Sequence, residues 1–119
     1  MLGASVLAAC SSTGSPASRP ASPGSSTGLI TIGASLSLTG AFSADGQAFE
    51  RGYELWVRDV NARGGIGGRH VKLTILNDQS SPNQVVTNYQ TLFGVDHADL
   101  AFGPFSSLLT APASSVAAR

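Results

Sequence analysis

Consecutive hydroxyls at Ser106-Ser107, after Pro104-Phe105 and before an apolar run of helical character, are the residues of this chain best placed to hold a small molecule. At a helix N-terminus the backbone N–H groups lack intrahelical acceptors, and hydroxyls beside them form a small anion site suited to a carboxylate. Spacing alone reads the same pair equally well as an ordinary helix cap. Asp78, in Asn77-Asp78-Gln79-Ser80-Ser81, reads first as a turn former and second as a ligand contact. Catalytic chemistry is poorly served. Gly64-Gly65-Ile66-Gly67-Gly68 follows a helical run and precedes a strand, the reverse of a dinucleotide-binding loop, so it reads as a tight turn. There is no G-x-x-x-x-G-K-[ST] motif and no G-x-S-x-G elbow. His70 and His97 lie far apart without a nearby cysteine, and Asp96-His97-Ala98-Asp99 is a weak metal pattern. No nucleophile–base pair is visible, so neither an enzyme nor a resident cofactor or metal is expected.

Composition narrows the partners. The chain has 119 residues, 42% of them apolar, with seven basic and seven acidic side chains and no net charge. Such a length supports one domain or less. The six arginines and one lysine form no basic run, which argues against a nucleic-acid partner. No apolar run approaches the roughly 18 to 20 residues that a membrane-crossing helix needs.

The single cysteine falls at the end of the apolar stretch Met1-Leu2-Gly3-Ala4-Ser5-Val6-Leu7-Ala8-Ala9. That stretch reads as the end of an export signal, although no Lys or Arg precedes it, and the start of the natural chain is expected upstream of Met1. Leu7-Ala8-Ala9-Cys10 resembles a bacterial lipobox, in which the cysteine thiol receives a diacylglycerol before cleavage. From Ser11 to Gly28 only Ser, Thr, Gly, Pro, Ala and one Arg occur, with no large apolar side chain to offset the entropy of ordering. A Gly/Ser-rich tether of this length reaches roughly 20 to 25 Å on average. The expected organisation is a partial signal peptide over 1–9, a lipidated Cys10 and tether over 10–28, and a folded unit over 29–119.

The folded unit must position the serines. Leu29 to Leu36 is short, apolar on both faces and rich in β-branched residues, as a buried parallel strand is. A loop over Ser37 to Ser43 precedes a helix over Ala44 to Asn61, in which Phe49, Tyr53, Trp56, Val57 and Val60 line one face. His70 to Asn77 forms a second strand. Ser81-Pro82-Asn83-Gln84 predicts the start of a second helix, with Ser81 as N-cap, Pro82 at the first position and Gln84 closing a capping box. Val85, Val86, Tyr89, Leu92 and Phe93 give it an apolar face. Ala98 to Gly103 is a third strand, and a third helix runs from Ser106-Ser107 to the chain end. The order β-α-β-α-β-α predicts an α/β fold with a parallel sheet and right-handed crossovers. Three loops, Ser37 to Asp45, Asn77 to Ser81 and Pro104 to Ser107, then gather beyond the C-terminal ends of the strands. Three strands make a thin core with an open edge, so the unit is expected to be part of a larger fold or to need a partner.

These stretches add up to a resemblance. Thr31-Ile32-Gly33-Ala34-Ser35-Leu36-Ser37-Leu38-Thr39-Gly40-Ala41-Phe42, Gly46-Gln47, Arg51-Gly52-Tyr53-Glu54-Leu55, Val60-Asn61-Ala62-Arg63-Gly64-Gly65-Ile66-Gly67-Gly68-Arg69 and Asn77-Asp78 through Pro82 resemble the N-terminal lobe of the periplasmic Leu/Ile/Val-binding proteins. These are the substrate-binding lipoproteins of ABC importers for branched-chain amino acids and amides. The resemblance implies the N-terminal part of lobe 1 of a type 1 periplasmic-binding fold, which closes on its ligand by hinge bending, with no cofactor and no chemistry.

It implies a site as well. The loop after the third strand would place Ser106 and above all Ser107 on a ligand carboxylate. The loop after the first strand, with Phe42 and Asp45, would close over the ligand. Asp45 stands where the family commonly has an aromatic residue before glycine, and Ala41 where proline is common. That departure favours an amide, an amine or a more polar amino acid over a Leu-like ligand. The cysteines that some members pair across this lobe correspond to Ser80 and Ser106, so that disulfide is absent here. The implied partners are a small amino-acid-like or amide ligand, an ABC permease with its ATPase, and the membrane through the lipid on Cys10, outside the cytoplasm. A ligand-sensing domain of a receptor or amide-responsive regulator is the alternative.

Overall fold

The computed structural model describes residues 28–119, so the signal stretch, Cys10 and nearly all of the tether lie outside the described residues. Six elements follow in the expected order: β1 (Ile30–Leu36), α1 (Ser43–Ala62), β2 (Val71–Asn77), α2 (Pro82–Gly94), β3 (Leu100–Phe102) and α3 (Ser107–Ala117). The sheet is parallel throughout, with β1 in the centre between β2 and β3. Ile30 pairs with Val71 through to Leu36 with Asn77, and Ile32 to Ala34 pair with Leu100 to Phe102.

Side-chain alternation along β1 places the helices in layers. A Cβ on Gly33 would lie 2.8 Å from Leu92 of α2, so odd-numbered β1 positions face α2. Ala34 is paired with Phe102, and the Phe102 ring lies against Tyr53 and Trp56 of α1. Even-numbered positions therefore face α1, and the sheet is sandwiched between α1 on one side and α2 with α3 on the other. Ile32, Ala34 and Leu36 are essentially inaccessible, as expected of a central strand covered on both faces. The second face is closed by Val85 and Tyr89 of α2 packed on Leu109 and Ala113 of α3.

Several sequence-based bounds shift. β1 and β2 each begin one residue later than expected and α1 begins one residue earlier and ends one later, differences within the fraying of any element end. β3 is shorter than Ala98 to Gly103 because the Ala98 N–H turns back to the Leu92 carbonyl at 2.8 Å. α3 ends at Ala117 instead of running to Arg119. The capping box at Ser81 is only half made. Ser81 accepts from the Gln84 N–H at 3.4 Å, but the Gln84 side chain donates to Asn88 at 2.9 Å rather than returning to the cap. Phe49, assigned to the apolar face of α1, is 41% exposed and stands on the side of the open β3 edge. Along that edge an apolar cavity of about 390 Å³ runs between β3 and α3, lined by Tyr89, Phe93, Leu100 and Ala113 among others. It lies beside the loop cluster and does not include Ser106.

Candidate functional site

Parallel strands carry the chain into three loops at one end of the sheet, and two of those loops are bonded together. Asn77, the last residue of β2, accepts from the Leu38 N–H at 3.0 Å and the Gln79 N–H at 2.9 Å, and donates to the Thr39 hydroxyl at 3.0 Å. Ser80 donates through its hydroxyl to the Thr39 carbonyl and accepts from the Phe42 N–H, both at 3.0 Å. The approach is close enough to require glycine at position 40. Its φ is 89°, and a Cβ there would lie 2.7 Å from both the Gln79 carbonyl oxygen and Ser80 Oγ. A second close contact seats α1, since a Cβ on Gly46 would lie 2.0 Å from the Ser37 carbonyl oxygen.

Beneath these loops Asp78 is fully buried. Its carboxylate accepts from Ser37 Oγ at 2.5 Å, Ser35 Oγ at 3.1 Å and its own turn through the Ser80 N–H at 2.9 Å. Asn88 extends the network by donating to Ser35 Oγ at 3.0 Å. Three donors occupy most of the acceptor sites of this buried side chain, which offsets the cost of taking it out of water. The turn reading of Asp78 therefore fits its surroundings.

The third loop differs. Ser106 occupies the N-cap position of α3 with φ 78° and ψ 144°, close to a region that normally only glycine occupies. Its hydroxyl, a plausible cap by spacing, makes no capping bond. Instead Ser106 Oγ is buried and has no hydrogen-bond partner among the described residues. Leu109 and Thr110 donate to the Ser106 carbonyl, whereas the N–H groups of Ser107 and Leu108 have no acceptor among the described hydrogen bonds. A hidden hydroxyl without a partner and two free N–H groups thus stand together at the positive end of the α3 dipole.

The four expected ligand residues are placed unequally. Ser106 and Ser107 are adjacent at the head of α3, with Ser107 exposed. Phe42 is half-buried at the N-cap of α1, packs on the α2/α3 cluster, and sets its ring edge-on to Phe105 at 5.8 Å. Through Phe105 it reaches the residue beside Ser106. Asp45 is exposed in the first turn of α1, where its charge also suits the helix dipole. It makes no ion pair among the described residues, where the sole pair is Asp59 with Arg63. Sequence reasoning passed over Asn88 and Phe105 and noted Ser80 only as a position where some relatives carry a paired cysteine. Asn88 left a usable signal, a polar residue three positions after Val85 and four before Leu92, on an otherwise apolar stripe. Nothing local marked Ser80 as a bridge to a loop some 40 residues earlier.

Known proteins share this fold. The family model described as periplasmic binding protein matches residues 29–119. A Leu/Ile/Val-binding protein homolog from Brucella abortus is 33% identical over 96 residues, covering 81% of this chain and 26% of its own length. An amino acid binding protein from Pseudomonas aeruginosa is 37% identical over 87 residues, with 73% and 23% covered. Among solved structures, a branched-chain amino acid transporter substrate binding protein from Streptococcus pneumoniae, in complex with isoleucine, superposes with a TM-score of 0.74 at 28% identity, covering 76% of this chain and 26% of that one. A solute binding protein from R. palustris in complex with benzoate gives 0.66 at 26% identity, with 75% and 24% covered. The chain spans about a quarter of the length of these relatives. With its α/β order, its parallel sheet and its match over residues 29–119, the chain belongs to the periplasmic binding protein family.

Proposed function

We propose that this chain supplies one wall of the ligand cleft of an extracytoplasmic solute-binding protein. Its ligand is a small amino-acid-like or amide solute, held at the head of α3 by Ser106 and Ser107, with Asp45 and Phe42 on the loop opposite. An ABC permease and its ATPase take up the solute, and a lipid on Cys10 holds the protein at the membrane. The observation that carries this reading is the buried, unpartnered hydroxyl of Ser106 beside the free N–H groups of Ser107 and Leu108. A carboxylate would satisfy all three donors at once and lie at the positive end of a helix dipole. Isoleucine and benzoate, present in two of the similar structures, share that group.

Titration of the ¹⁵N-labelled chain with L-isoleucine, benzoate and acetamide tests the site. Both carboxylates should move the amide resonances of Ser107 and Leu108, more strongly than acetamide does, and Ser106→Ala should weaken the response. Equal indifference to all three ligands would remove the reading. Affinity should be weak, in the millimolar range or beyond, since a single wall provides few of the contacts that a closed cleft makes. Intact mass of protein extracted from membranes tests the anchor, and an unmodified Cys10 would exclude it.

A further inference from the structure

We infer that the Ser80 hydroxyl is a positioning group for the α3 cradle, acting through Phe42 and Phe105, an inference whose functional meaning rests on the carboxylate reading above. Ser80 is the sole described bridge by which the second loop holds the backbone at the start of α1, accepting from the Phe42 N–H and donating to the Thr39 carbonyl at 3.0 Å each. Phe42 occupies the N-cap of α1 and makes no side-chain cap of its own, so the helix start is held from outside.

The bridge has a rigid footing. Ser80 adopts a left-handed φ of 60°, following Gln79 at 55°, and two successive left-handed non-glycine residues persist only where surroundings over-determine them. The determining group is Asp78, fully buried, whose carboxylate accepts the Ser80 N–H while the hydroxyls of Ser35 and Ser37 hold it from the β1 side.

From Phe42 the path continues by ring contact. The Phe42 ring meets Phe105 edge-on at 5.8 Å, and Phe105 is the residue before Ser106. Phe105 also lies 5.9 Å from Phe49 of α1, a second support that could hold the ring without Ser80. The inference is that the Ser80–Phe42 link, and not Phe49 alone, sets where Phe105 and hence the head of α3 come to rest.

Ser80→Gly isolates the hydroxyl, because glycine accepts φ of 60° without strain and this relief offsets the lost bonds in overall stability. In the ligand-free chain, the Phe42 amide should then exchange with solvent about tenfold faster, the equivalent of one hydrogen bond. The Phe105 ring resonances and the Ser107 and Leu108 amides should shift, and the melting temperature should stay near that of the unsubstituted chain. Titrated with sodium acetate, the variant should need about fivefold more ligand for half-saturation, less than one full hydrogen bond. If Phe42 exchange rises while Phe105, Ser107 and Leu108 stay in place, positioning is overturned and Ser80 is only a loop tie. Unchanged Phe42 exchange also overturns it. Should the unsubstituted chain show no acetate response at Ser107 and Leu108, the carboxylate reading falls, and the ligand-free shifts still uphold or overturn the positioning role. Phe49→Ala is the control, and a larger shift of Phe105 there than in Ser80→Gly would assign the support to α1 instead.

Discussion

At the end of the sheet where the strands begin, left-handed backbone falls on Gly64, Gly65, Gly67, Gly68 and His97. At the end where the strands finish, it falls on Gly40 but also on Gln79, Ser80 and Ser106. The first end only turns the chain around. Ile66 and Arg69 exchange backbone hydrogen bonds at 2.8 and 3.0 Å, Arg69 ties down the carbonyls of Gly28 and Leu29, and the glycines accept the required φ at no steric cost. The second end keeps three side chains where glycine would be easier, against His97 alone at the first. Strain of order 1 to 3 kcal/mol at such a residue persists when the side chain does something that glycine cannot. Two of the three are serines, one bridging loops and the other holding a buried, unpartnered hydroxyl.

Substitutions at chosen positions of the two ends test this comparison. Gly46→Ala should cost about 3 kcal/mol, since the new Cβ would collide with the Ser37 carbonyl. Gly64→Ala at the other end meets nothing within 4 Å and should cost only the left-handed penalty, about 1 kcal/mol. Urea midpoints for the pair measure this, and equal losses would break the contrast. Asp78→Ala comes next, at about 2 to 3 kcal/mol, since it strands the donors of Ser35, Ser37 and Ser80 in a buried site. Retained stability with lost isoleucine binding would instead make Asp78 a ligand residue.

Ser106→Gly should have the opposite sign. Relief of the left-handed backbone should add about 1 kcal/mol of stability while the response to benzoate weakens. A variant both less stable and equally responsive would show that the strain at Ser106 serves the fold. A further effect is confined to alkaline pH. Burial, with smaller contributions from nearby Tyr53 and Asp78, pushes the Tyr89 phenol up to about 12, and its hydroxyl donates to the Phe102 carbonyl at 2.5 Å. Below the unfolded value near 10 this contribution is fully present. Between about 10 and 12 the unfolded chain ionises first, so stability falls as pH rises. Tyr89→Phe should flatten that decline in melting curves recorded across this window.

Periodicity and turn chemistry made the element order legible. Ser81-Pro82 marked the start of α2, the glycine run marked the turn into β2, and β-branched residues apolar on both faces marked β1 as a buried strand, while its central place came from the structure. The same reasoning gathered the three loops at one end, because parallel strands joined by crossover helices leave no other arrangement. Ends of short elements were less legible, as at β3, where a backbone bond from Ala98 to Leu92 competes with strand pairing.

Residue types and spacing by themselves thus determined an α/β fold of parallel strands and singled out a serine pair at the head of the last helix. Tertiary structure alone decided what those serines do. Whether a hydroxyl at an N-cap bonds its own helix depends on the backbone and rotamer that packing imposes, and at Ser106, with φ 78°, the hydroxyl is buried without a partner. Whether Asp78 faces a ligand or the interior depends on where Ser35 and Ser37 lie, more than 40 residues earlier in the chain. Local propensity acts over a few residues, and contacts across such distances arise only when the packed sheet brings its strand ends together.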